Sequence, residues 1–151
     1  MHLVETRNLT HIYRGNLPAL DGVNFIAERK SRIAVIGPNG AGKSTLFKHF
    51  NGILHPTSGE VLVRGEPITK ENVREVRKLV GIVFQNPDDQ IFSPTVEQDV
   101  AFGPTNLGLD EATVAHRVGE ALALLGIEDL RERVPHHLSG GEKKRVAIAG
   151  I

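Results

Sequence analysis

Two short, continuously apolar runs stand out in the hydrophobic pattern of the chain, and each is followed directly by small or polar residues. Residues 33–36, Ile-Ala-Val-Ile, precede a glycine-rich stretch, and residues 79–84, Leu-Val-Gly-Ile-Val-Phe, precede a polar stretch that begins at Gln85. Such runs are typical of strands buried on both faces of a parallel sheet. The pattern therefore predicts two buried strands, with the polar residues at the carboxyl edge of the sheet, where open α/β sheets bind ligands.

Other strand signals predict an antiparallel region in the first part of the chain. Residues 3–9 form an apolar stretch broken by charges, and residues 20–25 alternate apolar and polar side chains, as a half-exposed antiparallel strand does. Turn-forming residues at 56–59 then precede the apolar residues 61–63, and Gly65 marks a further turn.

Helical periodicity is clearest over residues 110–126. Asp110 is suited to cap the start of this helix, and Gly126 is suited to end it. The apolar residues that recur at helical spacing are Val114, Val118, Ala121, Leu122 and Leu125. We expect this stripe to be ordinary core.

Two shorter helices are predicted on either side of residues 61–63. One follows the glycine-rich stretch, has an apolar face and ends near Gly52; that face is made by Leu46, Phe47 and Phe50. The other has Thr69 as a possible N-cap, with Val73 and Val76 on its apolar side.

Composition narrows the class of protein. The chain has 151 residues, enough for one domain with a core, and its 18 basic and 18 acidic side chains cancel. A neutral balance argues against a nucleic acid as the main partner. The chain contains no cysteine, which excludes disulfides and thiolate metal sites and fits a cytosolic protein. Because it shows neither a signal-peptide layout nor a long apolar run, we expect any work at a membrane to be done from the water side.

The glycine-rich stretch carries the strongest chemical signal. Residues 37–44 match the phosphate-binding pattern G-x-x-x-x-G-K-[S/T], in which backbone N–H groups surround nucleotide phosphates. The predicted strand before it and helix after it are the context that the motif requires, whereas a chance glycine-rich turn would need neither. Lys43 is then the positive charge for the β- and γ-phosphates of the nucleotide, and the Ser44 hydroxyl is a Mg²⁺ ligand. The residues expected to bind the nucleotide are Gly37, Pro38, Asn39, Gly40, Ala41, Gly42, Lys43, Ser44 and Thr45.

A second candidate anion site lies near the end of the sequence. Ser139, Gly140 and Gly141 stand where a helix is expected to begin, and N–H groups at a helix start attract anions. The alternative is that Ser139 is an ordinary N-cap. Since the first loop already surrounds one triphosphate, we expect this second element to serve a nucleotide held by a second subunit.

Three motifs in order, the glycine loop, Gln85 after an apolar run, and Leu-Ser-Gly-Gly-Glu before a helix, closely resemble the ATPase subunits of ATP-binding-cassette transporters. Residues 86–96, 99–104 and 145–150 narrow the resemblance to the energy-coupling-factor type, which powers uptake of cobalt, nickel or vitamins. The resemblance implies an α/β P-loop NTPase fold with an N-terminal antiparallel β region and a helical subdomain. Its parts would be a nucleotide-binding core at about 1–86, a Q-loop and helical subdomain at 87–140, and the signature motif with its following helix at 138–151.

The resemblance also implies roles for individual residues. Tyr13, the only tyrosine, falls where the family stacks an aromatic ring on adenine, although the residue pattern alone leaves ordinary packing open. Gln85 matches the glutamine that reaches Mg²⁺ and the attacking water. Residues 139–141 match the signature that closes on the γ-phosphate of the opposite subunit, with Glu142 where many relatives have Gln. Ser31 stands at a usual turn glycine, which a negative φ would tolerate.

One family element has no counterpart before Ile151. Family members continue with an apolar strand that ends in Asp-Glu, a connecting loop and a histidine switch, and the Glu polarises the attacking water. We therefore expect the C-terminal part of the core sheet to be missing and the 151 residues alone to be inactive.

The first functional hypothesis is an ATP-binding importer subunit at the cytoplasmic face of the membrane, paired with a second ATPase subunit. Its transmembrane component would dock on residues 85–102. The alternative is a nucleotide-binding fragment without ATPase activity. A soluble cassette ATPase of DNA repair or translation is less favoured, because neither a coiled-coil insertion nor a strong basic patch is visible.

Two polar pairs offer weaker chemistry. His136 and His137 precede the signature, but adjacent side chains diverge and no acidic ligand lies at metal spacing, so a solvated loop is expected. For Asp88 and Asp89 an exposed polar loop is likewise favoured over a cation site.

Overall fold

The computed structural model describes residues 2–15 and 17–151, which form two compact units. One unit ends at Ile82, and the other runs from Val83 to Ile151. The functional boundary predicted at residues 86 and 87 stays a prediction.

The first unit is built on an antiparallel sheet of four strands, β1 (His2–Ile12), β2 (Pro18–Glu28), β3 (Ser58–Val63) and β4 (Glu66–Pro67). The strand order is β2-β1-β3-β4, and every neighbouring pair is antiparallel. The predicted antiparallel region is therefore confirmed. Strands β1 and β2 extend beyond the predicted ranges 3–9 and 20–25 because their pairing runs the full length of the hairpin.

Two helices complete the first unit. Helix α1 (Lys43–Phe50) ends before Gly52, which has φ 69°, as predicted. Helix α2 (Val73–Leu79) begins later than predicted: its N-cap residue is Asn72, and Thr69 is not the cap. The Thr69 hydroxyl instead accepts a hydrogen bond from the Asn72 backbone N–H at 3.3 Å, which stabilises the preceding turn.

The core of the first unit lies between the sheet and α1. Its buried members are Leu9, Leu20, Leu46 and Val61, and the partly buried Phe25 and Phe50 pack against them. The rings of Phe25 and Phe50 stack at 5.0 Å between centroids. Burial of this apolar surface fixes α1 on the sheet and thereby places the loop that precedes it.

The two predicted buried strands are wrong. Residues 33–36 and 79–84 are not strands in the described structure, apart from Leu79, which ends α2. Ile36 is 92% exposed, and Ile33 is 47% exposed. A strand exists through hydrogen bonds to a neighbouring strand, and within the described residues neither run has such a neighbour.

The turns around the sheet use left-handed residues. Lys30 takes φ 64° after β2, so Ser31 keeps a negative φ as expected. The Ser31 hydroxyl donates to the Glu28 carbonyl at 2.7 Å. Arg64 and Gly65 both have positive φ in the tight turn between β3 and β4, which confirms the predicted turn.

The second unit is helical. It contains α3 (Val96–Asn106), α4 (Glu111–Leu125) and α5 (Gly140–Ala149), with short 3₁₀ turns at Pro87–Asp89, Glu128–Leu130 and Pro135–His137. Helix α4 is confirmed: the Asp110 side chain accepts from Thr113 N–H, and Gly126 ends the helix in the left-handed region. Helix α3 was not predicted, although Thr95 caps it.

The predicted stripe of α4 is confirmed as core. Val118 and Leu122 are fully buried, and Val114, Ala121 and Leu125 pack against the same cluster. The cluster also takes in residues of α3 and α5, among them Val96, Val100 and Val146. Three helices and their connecting turns thus share one core. None of the described helices is long and apolar enough to cross a membrane.

Candidate functional site

The glycine loop in the first unit has a backbone that only glycine adopts easily. Gly40 and Gly42 both have φ 82°, in the left-handed region. A Cβ atom on Gly42 would lie 2.3 Å from the Ala19 carbonyl oxygen and 2.9 Å from Leu20 Cδ2. Gly42 is therefore required twice, by its φ angle and by its close approach to β2.

The loop leads directly into the start of α1, with Gly42 in the N-cap position. The first helical hydrogen bond runs from Leu46 N–H to the Gly42 carbonyl at 2.8 Å. The N–H groups of Lys43, Ser44 and Thr45 precede this ladder and belong to the unpaired donors of a helix start. The first turn carries no acidic side chain, so the partial positive charge there is not neutralised.

Lys43 lies over the loop that it follows. Its ammonium Nζ donates to the carbonyl oxygens of Gly37 at 2.7 Å and Pro38 at 2.6 Å. A further bond from Ala41 N–H to the Pro38 carbonyl, at 3.3 Å, closes the turn. The Lys43 charge is thus held among the backbone atoms of the loop.

Tyr13 is brought to the same place from β1. It lies directly after that strand, and its hydroxyl is 3.2 Å from Thr45 Oγ1. The ring is 47% exposed and packs edge-on against His11 at 4.6 Å between centroids. An exposed ring held at the edge of the glycine loop is available for stacking, so the predicted role of Tyr13 keeps its geometric basis.

The residues of this region fit a nucleotide polyphosphate. The loop supplies N–H donors and one ammonium group, and a polyphosphate is an anion rich in acceptor oxygens. Ser44 is exposed at the second position of α1, where its hydroxyl is available to a Mg²⁺ ion bound with the phosphates. Asn39 and Ala41 are exposed along the same loop.

In the second unit, Ser139 caps α5 through a capping box. Its backbone N–H and its hydroxyl donate to Glu142 Oε2 at 2.7 and 2.6 Å, and Glu142 N–H donates back to Ser139 Oγ at 3.4 Å. The hydrogen bond from the Ser139 side chain, followed by that from its backbone N–H, lowers the pKa of Glu142. The alternative reading of Ser139 as an N-cap is therefore correct as far as the fold is concerned.

The two glycines that follow Ser139 have no such internal reason. Gly140 and Gly141 are helical residues without positive φ. A Cβ atom built on either of them would have no heavy atom within 4 Å, apart from its own helix backbone and chain neighbours. The start of α5 therefore presents a bare backbone, as a site for close approach of an anion would.

Gln85 lies at the exposed bend before the 3₁₀ turn Pro87–Asp89. The Asn86 side chain caps that turn by accepting from Asp88 N–H at 3.3 Å. The predicted polar loop is thus an ordered turn with Gln85 at its exposed entrance.

Sequence reasoning missed the residue that organises this turn. Gln90 Oε1 accepts from Phe84 N–H at 3.1 Å, and Gln90 Nε2 donates to the Ala147 carbonyl at 2.6 Å. Asp88, considered from the sequence as part of a solvated pair, forms an ion pair with Lys143 at 2.7 Å. The signal in sequence was only the polar run itself, since both partners lie more than fifty residues away.

His136 and His137 are exposed in the 3₁₀ turn Pro135–His137 rather than in an irregular loop. No group of three His, Cys, Asp or Glu side chains suited to hold a metal ion occurs within residues 2–15 and 17–151. The described residues therefore give no support to a metal site at these histidines, which the sequence also disfavours.

A buried histidine behind the glycine loop was also missed. His49 is 1% exposed, and its Nδ1 lies 2.7 Å from the Thr45 carbonyl one turn earlier in α1. Its ring packs edge-on against His11 at 4.7 Å between centroids. Burial lowers the pKa of His49. The neutral ring donates from Nδ1 to the carbonyl and so supports the first turn of α1.

Comparison with known proteins gives a consistent result. A family model described as ABC transporter matches residues 20–151. The energy-coupling factor transporter ATP-binding protein EcfA of Methanoculleus marisnigri is 91% identical over 151 residues, which are 100% of this chain and 54% of that protein. EcfA1 of Methanospirillum hungatei is 74% identical, again over 100% of this chain and 54% of that protein.

The solved structures agree with the sequence relatives. The structure of cbiO1 from Clostridium perfringens, described as part of the ABC transporter complex cbiONQ, superposes with a TM-score of 0.86 at 45% identity. The match covers 99% of this chain and 60% of cbiO1. The chain thus spans about half the length of the curated relatives that it matches, at 54% of each.

Proposed function

The chain belongs to the ABC transporter family, and from this membership we propose that it is the ATP-binding part of an importer subunit of the energy-coupling-factor type. The subunit couples ATP binding and hydrolysis to the uptake of a small nutrient. Cobalt, nickel and vitamins are the cargo classes that the sequence resemblance implies. The names of the relatives support the type of transporter.

The geometry of the glycine loop carries this proposal. Gly42 holds a left-handed φ and passes against β2, and this conformation aims the first N–H groups of α1 into the loop. Lys43 adds a full positive charge among the same backbone atoms. Backbone donors, a helix start and an ammonium group together form a site for the phosphates of ATP.

In the proposed function each predicted site residue has a distinct role. Lys43 neutralises the β- and γ-phosphates, Ser44 is a ligand of Mg²⁺, and the Tyr13 ring stacks on the adenine base. Mg²⁺ supplies charge neutralisation on the transferred phosphoryl group. Gln85 is proposed to reach Mg²⁺ and the attacking water, as the family resemblance implies.

The start of α5 is proposed to contact the nucleotide of a second ATPase subunit. The support is the bare backbone at Gly140 and Gly141, which the fold of the chain does not itself require. Ser139 combines this role with its cap of α5, because its N-cap position places it beside the free N–H groups of the first turn. Two ATPase subunits, identical or different, would then share two nucleotides.

A transmembrane component is proposed to dock on the second unit near the Gln85 turn. Phe92 and Phe102 are 61% and 50% exposed, and their rings meet edge-on at 4.8 Å between centroids. An exposed aromatic pair of this kind is typical of the centre of a protein interface. The subunit would work at the cytoplasmic face of the membrane through this contact.

Calorimetric titration with Mg-ATP tests the nucleotide site. Lys43→Ala removes the fixed charge from the β- and γ-phosphates, so its ATP affinity should fall by roughly a hundred-fold, within the range of charged hydrogen bonds. Lys70→Ala is the matched control, because Lys70 is an exposed lysine of the same unit. Equal ATP affinities for the two variants would overturn the assignment.

The alternative function is nucleotide binding without hydrolysis by these 151 residues. It rests on the family resemblance, in which the carboxylate that polarises the attacking water follows an apolar strand after the signature motif. Steady phosphate release by the 151-residue chain that is abolished by Lys43→Ala would contradict it.

A further inference from the structure

We propose that Gln90 is a positioning residue that fastens the Gln85 turn to helix α5, and that it thereby links two nucleotide sites through one subunit. The link is defined by Gln90 with its partners Phe84 and Ala147, together with the Asp88–Lys143 ion pair, and is called the Gln90 latch below. The proposal is an extension of the function proposed above.

The Gln90 side chain makes one hydrogen bond to the residue before Gln85 and another to helix α5. Its Oε1 accepts from the backbone N–H of Phe84, the residue directly before Gln85, at 3.1 Å. Its Nε2 donates to the backbone carbonyl of Ala147 in α5 at 2.6 Å. Both contacts are partly buried, where a hydrogen bond is less exposed to competition from water.

Only a primary amide satisfies both partners at once. The Phe84 N–H needs an acceptor, whereas the Ala147 carbonyl needs a donor, and Gln carries one of each at the end of a single chain. A carboxylate of the same shape would keep the contact with Phe84 but would place an oxygen against the oxygen of Ala147. The chemistry of residue 90 is therefore matched to this bridge.

A second contact joins the same two elements beside Gln90. Lys143 Nζ in the first turn of α5 lies 2.7 Å from Asp88 Oδ1, and the Lys143 side chain is only 17% exposed. The turn is thus held to α5 near the start of the helix by Asp88 and near its end by Gln90. Two attachments fix an orientation, whereas one would leave the turn free to pivot.

The latch connects residues that are proposed to act on different nucleotides. Gln85 follows Phe84 directly and acts on the nucleotide of its own subunit. Ser139 begins the helix that Gln90 holds and faces the nucleotide of the opposite subunit. Because a hydrogen-bonded helix moves as a unit, a shift of the Gln85 turn that moves α5 also moves Ser139 at the start of that helix. Nucleotide binding at one site then affects the other nucleotide site.

Gln90→Glu in the complete subunit, as its gene encodes it, tests the latch. The steady-state rate of ATP hydrolysis is measured against ATP concentration, and ATP affinity is measured by calorimetry. Lys43 is left unchanged in every variant. Asn106→Asp is the matched control, because it also replaces a side-chain amide with a carboxylate, and Asn106 is exposed in α3 outside residues 85–102. Site-to-site coupling commonly changes affinity about 5- to 150-fold, so its loss is measurable.

The expected result is a Hill coefficient that falls to about one in Gln90→Glu, while Asn106→Asp stays cooperative like the wild type. The ATP affinity of the single subunit should stay within about two-fold, because Gln90 does not belong to the glycine loop. A merely structural role would lower the melting temperature and the active fraction but would leave the Hill coefficient unchanged.

If Gln90→Glu does not fold, the variant pair Asp88→Asn and Lys143→Gln weakens the other attachment, because each change removes one charge of the ion pair. A reduced Hill coefficient in these variants supports the latch. A cooperative Gln90→Glu enzyme, cooperative Asp88→Asn and Lys143→Gln variants, or a wild type that hydrolyses ATP without cooperativity would overturn the latch alone. A wild type that binds no ATP would overturn the proposed function as well.

Discussion

The molecule has two glycine-rich helix starts that use glycine for different reasons. At α1, Gly42 is demanded by the fold, since its φ is 82° and an added Cβ would lie 2.3 Å from the Ala19 carbonyl oxygen. At α5, Gly140 and Gly141 are helical, and nothing lies near an added Cβ. Glycine thus sets the backbone path at the first site, whereas at the second it leaves a surface uncovered. The backbone angle and the space around a glycine therefore distinguish a glycine that the fold requires from one that leaves the backbone accessible to a ligand.

Gly42→Ala should break the first helix start and gives the largest expected effect. A left-handed non-glycine residue costs about 1–2 kcal/mol, and the contact with Ala19 adds to that cost. We expect the free energy of unfolding to drop by more than about 2 kcal/mol and ATP binding to be lost. Chemical denaturation and calorimetry measure the two effects. Retained stability together with retained ATP binding would contradict the assigned role of Gly42.

Ser139→Arg should block the second helix start without disturbing the first. A long side chain over the bare backbone prevents the close approach of a second subunit's nucleotide. We expect ATP affinity of the single subunit to change little and ATP-dependent dimerisation, followed by sedimentation in a non-hydrolysing background, to be abolished. If ATP binding falls while dimerisation survives, Ser139 acts on the nucleotide of its own subunit, and the two-subunit hypothesis is wrong.

Gly141→Ala tests the access argument with the smallest side chain. Since the added methyl group meets nothing in its own subunit, helix propensity should raise the free energy of unfolding by about 0.5 kcal/mol. ATP-dependent dimerisation should weaken at the same time, because the methyl group covers the backbone. A denaturation curve measures the expected gain in stability, and sedimentation of the same preparation measures the expected loss of dimerisation. A destabilised Gly141→Ala protein would show that the glycine is needed by the fold after all.

Acid should affect the two helix starts in different pH ranges. The pKa of His49 is lowered from 6.5 by burial, so the stability that the neutral, buried ring contributes is present above about pH 6.5 and is lost as the pH falls towards the lower folded value. The pKa of Glu142 is lowered from 4.5 by its bonds from Ser139, so the cap of α5 persists until the pH falls below about 4.5.

Melting curves of the wild type and of His49→Gln between about pH 7.5 and about pH 5.5 measure this difference. We expect the melting temperature to fall further for the wild type than for the variant as the pH is lowered across that range, because the variant lacks the titrating group. Parallel losses in the two proteins would assign the acid sensitivity to other histidines. Glu142→Gln keeps His49 and removes only a group that titrates below about pH 4.5, so its melting temperature should fall across this range as that of the wild type does, which makes it the control from the second helix start.

Local elements of this protein were determined by the sequence alone. The caps Asp110 and Gly126 of α4 and the cap Ser139 of α5 act within four residues of the groups they satisfy, and the glycine loop was predicted from the motif in residues 37–44. Strand β2 is likewise predicted from the alternation of apolar and polar side chains over residues 20–25. Because these interactions are short in sequence, the order of side chains contains the information needed to predict them.

Other features were decided only by the tertiary structure. Residues 33–36 and 79–84 have the composition of buried strands, but strand formation depends on a hydrogen-bonded neighbour that residue pattern alone cannot supply. The contacts of Gln90 with Ala147 and of Lys143 with Asp88 have no local signal, because they span 57 and 55 residues and are set by how the Gln85 turn packs on α5. The chemistry of single residues was therefore readable from the chain, whereas the contacts that join them required the fold.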